Sequence, residues 1–146
     1  MNIKDKFINA IKNGHTDIVH QYIKSNGIEE YYDFSIEIAA RRGYIEIVNI
    51  LLQQKSTNPN INNSEPLILA TQYGHFETVK LLLNDPRVDP VGICNIPIKS
   101  ASFNNDEKII QLLWSDERIK NTLENDDLQL YNELIQRNFI KKIQSF

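Results

Sequence analysis

Three histidines, His15, His20 and His75, and one cysteine, Cys94, are the residues of this chain with the widest chemical reach, since imidazole and thiolate serve as metal ligands and as catalytic groups. The histidines are spread along the chain and the cysteine is distant from all of them, so no metal-ligand spacing exists. Cys94 sits in a loop-forming stretch with no helix N-terminus or basic cluster close in sequence, and it lacks what would activate a thiol. The carboxylate pairs Asp116-Glu117 and Asp126-Asp127 are sequence neighbours. General acid–base catalysis needs groups that converge on one cleft from separate elements, whereas adjacent acids at helix ends are expected as caps and dipole partners. No glycine-rich phosphate loop or nucleophile elbow is present. These residues predict a chain that is not an enzyme and needs neither metal nor cofactor.

Length and charge bound what remains. The 146 residues suffice for one ordinary domain, and the formal net charge of −3 argues against a dedicated nucleic-acid surface, which draws on clustered Lys and Arg. A single cysteine excludes an intramolecular disulfide framework and fits a reducing compartment. Residues Met1 to Lys6 carry charges where a signal peptide needs an apolar run. No uncharged apolar stretch approaches the roughly 20 residues that span a bilayer. The expectation is a soluble, intracellular, mainly helical domain, monomeric, with no membrane or nucleic-acid partner.

The elements that must position any functional side chain are clearest around Gly74. Pro66 suits the first turn of a helix, and Leu67, Ala70 and Thr71 fall on one face of it. Gly74 suits a sharp, left-handed break. Val79, Leu82 and Leu83 then make a second apolar stripe of the same period. Two helices this short are marginal alone and need neighbours. The sequence supplies them: the unit recurs with its alanine at Ala10, Ala39, Ala70 and Ala101, in steps of 29, 31 and 31 residues. A fixed period in this range predicts a stacked helical solenoid.

Read in order, the helix pairs span about residues 1–25, 35–54, 65–84 and 97–115. Gly27 with Asn26 ends the first pair, and Asp33 or Ser35 is expected to cap the helix that follows. The stretches 58–64 and 84–92 read as turns, with Pro86 stopping a helix. Residues 116–121 align with 85–90 at the 31-residue step and read as the same connection, Asp116 matching Asp85 and Arg118 matching Arg87. Asn105 stands where Gly43 and Gly74 stood, and asparagine is the next most tolerant residue for a left-handed position. From Asp127, a capped helix with Leu128, Tyr131, Leu134 and Ile135 on one face, a break at Asn138 and a final helical turn over 139–146 read as a C-terminal cap.

The unit Pro-Leu-x-x-Ala-x-x-x-Gly-His-x-x-x-Val-x-x-Leu-Leu resembles the ankyrin repeat over about residues 5–121. The stretch from Gly74 to Pro90 looks like the variant common in proteins of giant DNA viruses and some protists. The resemblance implies an all-α solenoid of about four repeats (5–33, 34–64, 65–95 and 96–126) with short finger loops and a C-terminal cap over 127–146, all one domain. It also implies that His15 and His75, in the Gly-His slot, hydrogen-bond loop backbone. It implies a non-catalytic module that binds a protein partner on a concave groove of inner helices and fingers, in a cytoplasm that would be the host's if the chain is viral. Carried over position by position, the two residues exposed after each alanine turn are Lys12 and Asn13, Arg41 and Arg42, Gln72 and Tyr73, Phe103 and Asn104. A substrate-recruiting adaptor for a larger assembly such as a ubiquitin ligase is the first alternative. An enzyme or nucleic-acid binder using the cap is the second, from a different class.

Overall fold

The computed structural model describes residues 2–25 and 27–137, which form ten α-helices and one short 3-10 turn, with no strand among them. The expectations for Asn26, for the break at Asn138 and for the last turn over 139–146 lie outside the described residues. Helices of 8 to 12 residues come in pairs: α1 (Ile3–Lys12) with α2 (Thr16–Lys24), α3 (Tyr32–Arg42) with α4 (Ile45–Leu52), α5 (Ile61–Gln72) with α6 (Phe76–Leu83), and α7 (Ile96–Phe103) with α8 (Glu107–Trp114). A fifth pair, α9 (Glu117–Asp126) and α10 (Leu128–Gln136), closes the described chain. First helices pack on first helices, α1 on α3 on α5 on α7, and second helices on second helices, α2 on α4 on α6 on α8. Each short helix thus gains the neighbours it needs, and one apolar core runs from Phe7 to Leu134. The expected stripes supply it: Phe7, Ala10 and Ile11, then Leu67, Ala70 and Thr71, then Val79 and Leu82, are all buried.

The turn inside each pair repeats one backbone geometry. Gly14, Gly43 and Gly74 have φ of 70°, 68° and 72°, and Asn105 takes their place at 54°. At Gly43 the absence of a side chain is required twice, since a Cβ there would lie 2.5 Å from Nδ1 of His75 in the next pair.

Between pairs, a second geometry recurs. Arg87 lies against Asp85, its Nε 2.9 Å and its Nη2 2.7 Å from the two carboxylate oxygens, and it donates backward to the carbonyls of Thr57 and Leu52 at 2.9 and 2.7 Å. One period later, Arg118 lies against Asp116 in the same way and donates to the Val88 carbonyl at 3.2 Å. The Asp-x-Arg spacing seen in the sequence is therefore a clasp that ties each connection to the one before it.

Three expectations are corrected. Neither Asp33 nor Ser35 caps α3, because a 3-10 turn over Glu29–Tyr31 starts the helix earlier and buries Tyr32. Asp33 instead accepts from the Asn58 N–H at 2.6 Å in the following connection, and the Ser35 hydroxyl donates to the Tyr31 carbonyl. Residues 116–121 are not a loop. They open like the other connections, with the Ile119 N–H on the Asp116 carbonyl as Val88 is on Asp85, and then continue as α9. Pro59 and Pro90 interrupt the chain at this register, while Asn121 lets the helix run on. In α10, Leu128 is 57% exposed; Leu130 and Leu134 are the leucines that reach the core.

The entries to α5 and α7 are left-handed. Asn62, Asn63 and Ser64 have positive φ, so the right-handed part of α5 begins at Glu65 with Pro66 in its first turn, and Cys94 and Asn95 do the same before α7. Ser64 is buried, and its hydroxyl meets Asn60 and donates to the Asp89 carbonyl at 2.6 Å.

Candidate functional site

The seven residues singled out as a protein-binding surface, Lys12, Arg41, Arg42, Gln72, Tyr73, Phe103 and Asn104, are all exposed at the C-terminal ends of α1, α3, α5 and α7. Helix geometry puts them there: Ala10, Ala39, Ala70 and Ala101 are buried against the next helix, and residues two and three further on rotate out of the core. The structure does not gather them into one place. Lys12, Arg41 and Arg42 share a hollow between α1 and α3 with Phe34, Glu37 and Ile38. Gln72, Phe103 and Asn104 share a second, between α5 and α7, with Lys99 and Ser100. Tyr73 joins Gln72 and Asn104 around the adjacent turn.

Their side chains differ in how far the fold already uses them. Phe103 is 87% exposed, and Tyr73, 57% exposed, lies parallel to the His75 ring at 6.4 Å. The Asn104 amide donates to the Gln72 carbonyl at 2.9 Å. That carbonyl is the 31-residue equivalent of the Arg41 carbonyl, which lies 2.9 Å from Nε2 of His75. Asp106 occupies the histidine slot of the fourth pair and caps α8 through the Ile109 N–H. Asn104 thus does for α5 what His75 does for α3, and its amide is partly committed to the scaffold. The expectation for His15 is corrected: its ring makes no hydrogen bond among the described residues, whereas His75 reaches the turn of the preceding pair.

Phe34 is the residue that sequence reasoning missed. It is 53% exposed and stands at i, i+4, i+7, i+8 spacing with Ile38, Arg41 and Arg42, so the same helical arithmetic that found the arginines also marks Phe34.

The remaining chemistry-bearing residues stay apart. Cys94 is exposed and, contrary to the expectation that no helix start is near it, immediately precedes Asn95, the N-cap of α7; no group of three or more potential metal ligands occurs among the described residues. The acids identified as helix-end residues do cap: Asp116 accepts from the Arg118 N–H and Asp127 from the Leu130 N–H. The Arg118 guanidinium holds the Asp116 carboxyl below the usual carboxylate range, as Arg87 does for Asp85. Lys99 does so for Asp127 through an ion pair at 2.7 Å that ties α7 to α10. Asp85 and Asp116 owe their shifts to the arginine two residues on, and only the Asp127 shift comes from a contact between elements.

No helix among the described residues is long and apolar enough to cross a membrane. A comparison with curated proteins finds no match. A family model described as "Ankyrin repeats (3 copies)" matches residues 7–92 and 36–125, which takes in the first four helix pairs from within α1 onward and most of α9. With the 31-residue period and the repeated backbone turn already evident in the helices, this match shows that the chain belongs to the ankyrin-repeat family.

Proposed function

We propose that the chain is a non-catalytic module that binds a protein partner across the face made by the ends of α1, α3, α5 and α7. Ankyrin repeats are in general protein-interaction modules, typically without catalytic activity. The observation that carries the reading for this chain is the placement of Phe34, Tyr73 and Phe103. Three large aromatic side chains stand more than half exposed on or at the ends of the first helices, whereas the other exposed large apolar residues among those described, Ile3, Ile18, Ile93 and Leu128, are aliphatic. Aromatic and arginine side chains are the ones that most often anchor protein interfaces. The stack holds them on short, mutually braced helices, which lowers the ordering cost of association.

The test is affinity capture with the intact chain and with a variant carrying Arg41→Ala, Arg42→Ala, Tyr73→Ala and Phe103→Ala together. None of these side chains is buried, so the variant is expected to fold. Loss of the captured partner supports the reading. Unchanged capture by the folded variant overturns it.

A further inference from the structure

We propose that the hollow between α1 and α3 takes a short acidic peptide segment of the partner, an apolar side chain resting on Phe34 and Ile38 and carboxylates reaching Arg41, Arg42 and Lys12. This rests on the protein-binding reading above and names the chemistry of the segment bound. Six residues line the hollow, and three of them are cations. Its one acid, Glu37, is already engaged, accepting from the Asn62 side-chain amide at 2.7 Å across the next connection. Among the described residues, none of Lys12, Arg41 and Arg42 forms an ion pair.

A basic last turn complements a helix dipole, but that alone does not account for the cluster. The neighbouring first helices α5 and α7 end without any basic residue in the last turn. Three unpaired cations around an apolar floor, on a chain whose net charge is −3, are a local reversal of sign that suits an anionic ligand.

The floor decides which anion. Phe34 and Ile38 offer nothing to a phosphate backbone and a great deal to a peptide side chain. The volume, about 260 Å³, is below the roughly 300–1,000 Å³ of small-molecule cavities. Arginine forks bind carboxylates in two-pronged fashion, so a peptide with acids beside one apolar residue satisfies both parts of the site.

The test is selection from a phage-displayed random dodecapeptide library on the full chain, followed by affinity measurements at low and high salt. The expected peptides carry Asp and Glu next to an apolar residue. Their affinity falls with salt and drops about tenfold or more in the R41E/R42E variant, while K80E, a charge reversal on the exposed side of α6, binds them as the parent does. If R41E/R42E fails to fold, R41Q/R42Q makes the same comparison without charge reversal. Neutral or basic peptides, unchanged binding by the charge variants, or no selected peptide at all would each overturn the proposal. A single-stranded oligonucleotide that bound through the same arginines would overturn it too. Peptides that depend on Tyr73 and Phe103 instead would remove this inference and leave the broader reading standing. Failure of both this selection and the capture experiment would remove both.

Discussion

Nε2 of His75 lies 2.9 Å from the carbonyl oxygen of Arg41, and the imidazole covers Gly43 so closely that no side chain fits there. The bond joins the third pair to the end of α3, the turn from which the Arg41 and Arg42 side chains project. The position of Arg41 and Arg42 on the proposed binding face is therefore held in part by His75, which lies outside it.

Gly43→Ala is expected to destabilise the chain by about 2 kcal/mol or more, because a left-handed alanine costs roughly 1–2 kcal/mol and its methyl would collide with the His75 ring. Gly27 has a φ of 84° with open space around it, so Gly27→Ala should cost only about the conformational part. Urea unfolding of the two variants checks the difference. Equal losses would mean that the ring contact contributes nothing.

Replacing Arg87 by alanine removes donors from the Thr57 and Leu52 carbonyls and unpairs Asp85. The expected cost is about 1–2 kcal/mol, mainly from the carbonyl bonds, since a partly exposed ion pair adds little. Denaturant unfolding of Arg87→Ala and Arg87→Lys, the latter unable to reproduce the fork, measures it.

Acid should loosen the stack in a definite direction. Asp85, Asp116 and Asp127 have carboxyls held below their ordinary range, first of all by side-chain hydrogen bonds to Arg87, Arg118 and Lys99. A depressed folded-state pKa contributes stability that is present above the unfolded value and is lost as pH falls through the folded one. Stability should therefore hold through neutral pH and decline across the acidic limb. The double variant Asp85→Asn, Asp116→Asn should flatten that decline, and melting curves along an acid titration would show it. The partial exposure of these groups keeps the effect modest.

Leu82 is fully buried at the centre of the stack, and Leu82→Ala should cost about 2–5 kcal/mol. Trp114 reports the other end. It is 6% exposed against Tyr131 of α10, with ring centroids 5.3 Å apart, and it is the only tryptophan in the chain. Deleting residues 122–146 should red-shift its fluorescence and cause self-association. A truncated chain that kept native emission and stayed monomeric would contradict the capping role of α10.

Much of this architecture is written in local chemistry. The alanine-to-alanine steps, the paired apolar stripes and the glycine turns are one-dimensional signals, because each repeat buries its own stripe against the next. Asn105 as a surrogate glycine and the match of Asp116 and Arg118 to Asp85 and Arg87 follow from residue type at a fixed step, though the clasp these pairs form on preceding carbonyls does not. What escaped was decided between repeats. Asp33 looked like a cap, but its carboxylate serves a connection 25 residues away. The left-handed run Asn62-Asn63-Ser64 announces a turn without its handedness, which follows from Ser64 being drawn into the interior toward Asp89. The start of α9 reads as another connection, and with no proline at Asn121 and no glycine at Leu123, where Pro90 and Gly92 stand one period earlier, it runs on as a helix. On the proposed binding face, the alanine register marks the exposed arginines and two of the aromatics, whereas Phe34 lies earlier in its helix, outside that register. That the carbonyl of Gln72 would claim the Asn104 amide depended on Asp106 replacing histidine next door.

The central claim is that a partner lies across the ends of the first helices. A photoreactive phenylalanine analogue placed at Phe103, and separately at the exposed Lys80 of α6, tests it with the least intervening inference. A crosslink to the captured partner is expected from Phe103 and none from Lys80. A crosslink from Lys80 with none from Phe103 would place the partner on the second helices and contradict it.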